Sequence, residues 1–224
     1  MAKVKIQGNA SGTGVFTITP PATSTDRTLT LPDSAGTILD STSTLDATKL
    51  SGNLPAISGA SLTNLPAGGI TEADQWRLNS NASLGSDVTV NLTSNWERAD
   101  TDGFGKLGTG ITETSGVFSF PSTGHWLITF NTKFTITVDS RYVWAKINST
   151  TNNSTYDTAT HTYTSVNATS SSWYTGTTGT FLFDVTDITT HKIKLSVSSI
   201  GGGTLNSSTS SNDTYITFIK LGDT

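Results

Sequence analysis

The chain has 224 residues, with 13 Lys and Arg against 17 Asp and Glu, a formal net charge of −4, and only 13% charged residues. Its basic residues are few and scattered, which excludes an electrostatic grip on nucleic acid. There is no cysteine, so disulfides and thiolate zinc sites are excluded as well.

About one residue in three is Ser or Thr, a bias that suits strands, turns and extended surfaces. No apolar run reaches the length of a membrane-spanning helix, so membrane insertion is not expected. The opening MAKVKIQGNASG lacks the apolar core of a secretory signal, and release without that export route is the expectation.

The pattern falls into three parts. In residues 1–40, Val15-Phe16-Thr17-Ile18-Thr19 reads as a short strand stopped by Pro20-Pro21. Thr28-Leu29-Thr30-Leu31 reads as a second strand, turned by Pro32-Asp33 and Gly36, and residues 37–39 as a third. Strands this short and few cannot bury a core alone, so this part needs copies of itself or a partner. Phe16, Ile18, Leu29 and Leu31 are its candidate docking residues.

Residues 41–69 repeat weakly, with Leu54-Pro55 and Leu65-Pro66 closing similar units. The leucine spacing fits neither an uninterrupted helix nor a simple strand. Composition reads as a flexible linker. The reading preferred here is an intertwined shaft, in which Leu54, Ile57 and Leu65 meet on a threefold axis.

In residues 70–224, the Thr-x-x-Asp pattern at Thr71–Asp74 predicts a single helical turn. After it, strands are expected near 87–92, 116–120, 125–138, 141–148, 160–166, 173–185, 191–198 and 213–221. Many strands with Gly, Ser and Asn turns between them predict an all-β sandwich or jelly roll. The clearest signal runs from Trp126 to Val138, where Trp, Ile, Phe, Thr, Phe, Ile and Val alternate with polar residues. An unbroken strand of that length would span about 43 Å at 3.3 Å per residue, so a bulge or break is expected near Asn131–Lys133.

Gly116-Val117-Phe118-Ser119-Phe120-Pro121 followed by Gly124-His125-Trp126-Leu127-Ile128-Thr129-Phe130 resembles the central pattern of complement component 1q and tumour necrosis factor head domains. Trp144–Asn148, Phe181–Val185, Lys192–Val197 and Tyr215–Leu221 look like later strands of the same domain. The chain departs from the family at Asp187–His191, where a Gly-Asp turn is common, which leaves that turn's geometry open. The resemblance implies a compact trimer of jelly rolls. The closing strand is apolar on both faces, which independently asks for cover on both sides. Tyr215, Phe218 and Leu221 are therefore the candidate subunit contacts.

Phe16–Leu39 resembles a segment common in bacteriophage fibre proteins. Anchor, shaft and head together resemble a phage fibre or spike. The resemblance implies a homotrimeric virion protein, held to a tail or capsid protein by residues 1–40 and assembled in the host cytoplasm. Its head, residues 70–224, would adhere to a host-surface glycan or protein. The alternative is a structural fibre or capsid decoration with no receptor role.

No catalytic or cofactor signature competes with this reading, and neither enzyme activity nor a cofactor or metal is expected. His125, His161 and His191 read as surface histidines, and Asp100, Asp102 and Glu113 as the flanks of a turn rather than a catalytic carboxylate pair. Trp126 and Trp144 read as core. Trp173-Tyr174 reads either as packing or subunit contact, or as a receptor contact through exposed aromatics that stack on sugar rings.

Overall fold

The computed structural model describes residues 11–15, 17, 19, 22, 24–26, 28, 69–167 and 172–224. The chain divides into two units, Met1–Ala60 and Ser61–Thr224. Described residues of the first unit form neither helix nor strand. The docking candidates Phe16, Ile18, Leu29 and Leu31 and the shaft candidates Leu54, Ile57 and Leu65 lie outside the described residues.

Among the described residues, the second unit holds strands and no helix. In chain order these are β1 Ala73–Leu78, β2 Ala82–Leu84, β3 Val90–Asn91, β4 Trp96–Arg98, β5 Thr112–Thr114, β6 Val117–Ser119, β7 Gly124–Ile136, β8 Tyr142–Thr150, β9 Asp157–Ser165, β10 Trp173–Val185, β11 Lys192–Ser199, β12 Gly203–Leu205 and β13 Tyr215–Gly222. The first sheet runs β4-β1-β13-β7-β10, and β12 with β2 beyond it pairs with the far end of β7. The second runs β5-β6-β11-β8-β9, with β3 also paired to β11. Every strand pairing is antiparallel, and the two sheets enclose one core as a jelly-roll sandwich.

Alternation along β7 builds that core. Trp126, Ile128, Phe130, Phe134 and Ile136 are fully or almost fully buried, and Leu127, Thr129, Asn131, Lys133 and Thr135 face the other way. Phe118 of β6 meets Trp96 edge-on at 5.2 Å and Phe218 at 5.5 Å, while Phe120 meets Trp126 at 5.2 Å and Phe183 at 5.7 Å. Burying each such ring is worth about 1.5–3 kcal/mol, and each aromatic pair adds about 0.5–1.5 kcal/mol.

The break expected near Asn131–Lys133 is absent. β7 pairs with β10 without a register shift from Gly124↔Val185 to Ile136↔Trp173. The discontinuity falls on the other flank, where β13 pairs as far as Asn131 and β12 takes over at Phe134. Between them the backbone N–H of Lys133 donates to Thr214 Oγ1, and the Lys133 carbonyl accepts from Asn206 N. Two partners in succession keep that edge of the long strand paired. A bulge does occur, in β13 at Leu221, where His125 pairs with Gly222 and Trp126 with Lys220.

The helical turn expected near Thr71–Asp74 is strand β1 instead. Asp74 does not cap a helix. Its carboxylate is buried and accepts from Ile111 N at 2.8 Å, Gln75 N at 2.9 Å, Trp76 Nε1 at 3.2 Å and Arg98 Nε at 3.0 Å. Arg98 lies 4.7 Å over the Trp76 ring and donates to the Ile111 carbonyl, so the pair ties β1 and β4 to the loop before β5. Tertiary partners on three segments outweigh the local capping pattern.

Two glycines of the motif have a steric reason. Gly116 has φ +79°, and a Cβ there would meet the Leu92 carbonyl oxygen at 2.4 Å. Gly124 has φ +137°, and a Cβ there would meet the Gly222 carbonyl oxygen at 2.4 Å. The departure at Asp187–His191 is also accounted for. Asp187 Oδ1 accepts from Thr189 N and Thr189 Oγ1, and the Asp187 carbonyl accepts from His191 N. That side chain closes the turn without any residue at positive φ.

His191 is not a surface residue. It is buried, stacks on Phe183 at 5.5 Å, and lies within hydrogen-bond reach of Thr186 and Thr190. Trp144 is buried too, but outside the core: its odd-numbered neighbours Val143 and Ala145 point inward, so it lies on the outer face of the second sheet.

Candidate functional site

The outward face of the first sheet is set by the register of its strands. Ala73 of β1 stands opposite Ile219 of β13, Ile219 opposite Leu127 of β7, and Leu127 opposite Leu182 of β10. Leu107 bridges to Ala73 from the other side. An apolar row therefore crosses the sheet, with Leu107 46% and Leu182 57% exposed at its ends and the three between them half-buried.

The next row is Gln75, Thr217, Thr129 and Thr180, with Gln75 Nε2 donating to Thr217 Oγ1 at 2.8 Å. A third row begins at Arg77 and continues through Tyr215, Asn131 and Thr178, and Thr178 Oγ1 donates to Asn131 Oδ1. Arg77 contributes no free charge. Its side chain is buried under two loops, where it holds Glu97, Asp100, Thr101 and the Thr209 carbonyl. A shallow depression of about 200 Å³ opens beside Ala73, Gln75, Phe104 and Ile219. The apolar line is thus bordered on one side by neutral polar groups, as at the charge-depleted centre of protein interfaces, and on the other by His125 and Asp184, 3.8 Å apart.

The residues expected at a subunit contact separate on this map. Tyr215 is half-buried on the outward face. Leu221 is 51% exposed at the β13 bulge. Phe218 is a correction: it is fully buried against Phe118 and Phe120 of its own sandwich and has no surface left for a neighbour. Leu127, Ile219 and Leu182 carry the apolar row instead. Alternation puts Leu127 and Leu182 on polar-side positions, and only the register between distant strands reveals that they line up with Ile219.

Trp173 and Tyr174 are 47% and 69% exposed. They are successive residues of β10, so they point to opposite faces and do not make one platform. Tyr174 shares the outward face, with Lys133 Nζ 5.5 Å from its ring centroid. Two of the carboxylates flanking the Gly-rich turn serve local structure. Asp100 pairs with Arg77, and Glu113 accepts from Gly116 N at 2.6 Å. Among the described residues there is no cluster of three His, Asp or Glu that would hold a metal ion.

No protein-family profile matches the chain, and no curated protein matches it in sequence. Among solved structures it is similar to murine APRIL at pH 5.0, at 13% identity and a TM-score of 0.50, over 67% of this chain and 98% of that one. It is also similar to Eiger TNF from S. frugiperda, at 15% identity and a TM-score of 0.47, over 68% of this chain and 93% of that one. At this identity the likeness to APRIL shows the fold alone: the chain carries an all-β jelly roll of the tumour necrosis factor type.

Proposed function

We propose that this chain is a homotrimeric bacteriophage fibre whose jelly-roll head adheres to the host cell surface. In this reading residues 1–40 attach to a tail or capsid protein, residues 41–69 form the shaft, and residues 70–224 form the head. The observation that carries it is the apolar row Leu107-Ala73-Ile219-Leu127-Leu182, bordered on one side by the uncharged row Gln75-Thr217-Thr129-Thr180. A second copy of the chain would cover that row and remove its apolar surface from water. The phage-fibre resemblance of Phe16–Leu39 supports the virion assignment. Three heads on one stalk turn weak surface contacts into useful avidity.

Two assays test the reading. Mass spectrometry of purified particles is expected to find the chain, and the free protein is expected to slow adsorption of those particles to host cells. Absence from the particle would overturn the virion assignment. Presence without any effect on adsorption would leave a structural fibre or decoration protein.

A further inference from the structure

The second sheet carries a polar groove on its outer face, on the opposite side of the sandwich from the apolar row. It has a volume of about 370 Å³, within the size range of small-molecule sites. Lys146 and Asn148 of β8 and Lys194 and Ser196 of β11 form its floor, with Asn91 and Tyr156 among its walls. No Asp or Glu lines it.

Its two lysines stand apart from the other described lysines. Lys133 and Lys220 pair with carboxylates, and Lys106 and Lys192 donate to backbone carbonyls. Lys146 and Lys194 do neither. Each is held over an aromatic ring: Lys194 Nζ lies 4.0 Å from the Tyr156 centroid and Lys146 Nζ 4.6 Å from that of Trp144. Register makes them diagonal neighbours, because Lys146 stands opposite Ser196 and Lys194 opposite Asn148. Two lysines are thus diagonal neighbours on an acidic chain, and no carboxylate lines the groove they share.

The geometry points to a carboxylated sugar, a uronic or sialic acid unit of an acidic glycan, as the ligand of this groove. Its carboxylate would sit between the two ammonium groups, where charge-assisted hydrogen bonds are strongest. Asn148 is already oriented, with Nδ2 donating to Ser196 Oγ at 3.0 Å and Oδ1 accepting from Thr158 Oγ1 at 3.2 Å. Exposed Thr89, Asn91 and Thr93 offer partners to ring hydroxyls. The Tyr156 ring supplies aromatic surface on which sugars stack. A trimer built through the first sheet would leave three such grooves open. The inference deepens the adhesion reading and rests on it for biological sense, but its chemistry is tested separately.

The experiment is calorimetric titration of the full chain with a galacturonate tetramer and with sialyllactose, beside the methyl-esterified galacturonate tetramer as a neutral control. Binding is expected for at least one acidic sugar, with a loss of at least tenfold on esterification and in each of Lys146→Gln and Lys194→Gln. Both variants change half-exposed side chains and should keep the β-sheet circular dichroism of the parent. No binding of either acidic sugar, equal binding of the ester, or binding unchanged in both variants would overturn the assignment. A chain that binds acid sugars yet leaves adsorption unaffected would sink the adhesion reading and keep the groove.

Discussion

Ile219 of β13 stands directly opposite Leu127 of β7, and both side chains face away from the core of their own sandwich. Placing a charge at either position leaves the core untouched and sets an ammonium group in the middle of the apolar row. Leu127→Lys and Ile219→Lys are each expected to yield folded single chains with parental circular dichroism. A normal oligomer in both variants would rule out this face as the contact.

Phe218 tests a different quantity. It is fully buried between Phe118 and Phe120. Phe218→Ala should lower folding stability by about 3–5 kcal/mol through lost burial and a residual cavity. Urea denaturation reads this directly. A loss below about 1 kcal/mol, with assembly abolished, would return Phe218 to the interface.

The Asp74 carboxylate holds Arg98 and three N–H groups at a buried site. Asp74→Ala leaves the buried Ile111 N–H without its acceptor and removes the partner of Arg98 Nε, at an expected cost of about 1–3 kcal/mol. Asp74→Asn keeps one acceptor oxygen and should cost less. Equal stability of Asp74→Ala and the parent would show that this network contributes nothing to the fold.

His161 lies on the outer face of the second sheet, packed against Trp144 and Tyr163. Its Nδ1 is 3.0 Å from Tyr163 Oη, and its Nε2 is buried with no partner. Burial first, and the charge of Lys146 second, lower its pKa below the ordinary 6.5. The folded chain therefore binds this proton less readily than the unfolded chain, and the stability associated with neutral His161 is lost as pH falls from 6.5 through the lowered value. Ring-proton titration by NMR should give a midpoint below 6.5, moved upward by Lys146→Gln. A midpoint at or above 6.5 would contradict the burial of this ring.

The long core strands were legible because alternation marks them without knowledge of their partners. Trp126 through Ile136 reads as one buried face in the sequence and is one in the structure. The short strands β2, β4, β5 and β12 were not, since three residues carry no period. β1 was hidden by a helix-capping pattern whose Asp serves Arg98 instead. Both candidate surfaces depend on register. Leu127 reads as a single apolar residue on a polar face until Ile219 and Leu182 are set beside it, and Lys146 and Lys194 meet only because β8 pairs with β11. Phe218 and Ile219 show the limit most plainly: the alternation of β13 separates its two faces, but only the assembled sheets reveal which face is enclosed.

The mass of the purified full chain in solution, measured by light scattering or sedimentation equilibrium, tests the trimeric head most directly. The account predicts about 70 kDa, three times the 23.5 kDa of one chain. A mass of 23.5 kDa at micromolar concentration would contradict it.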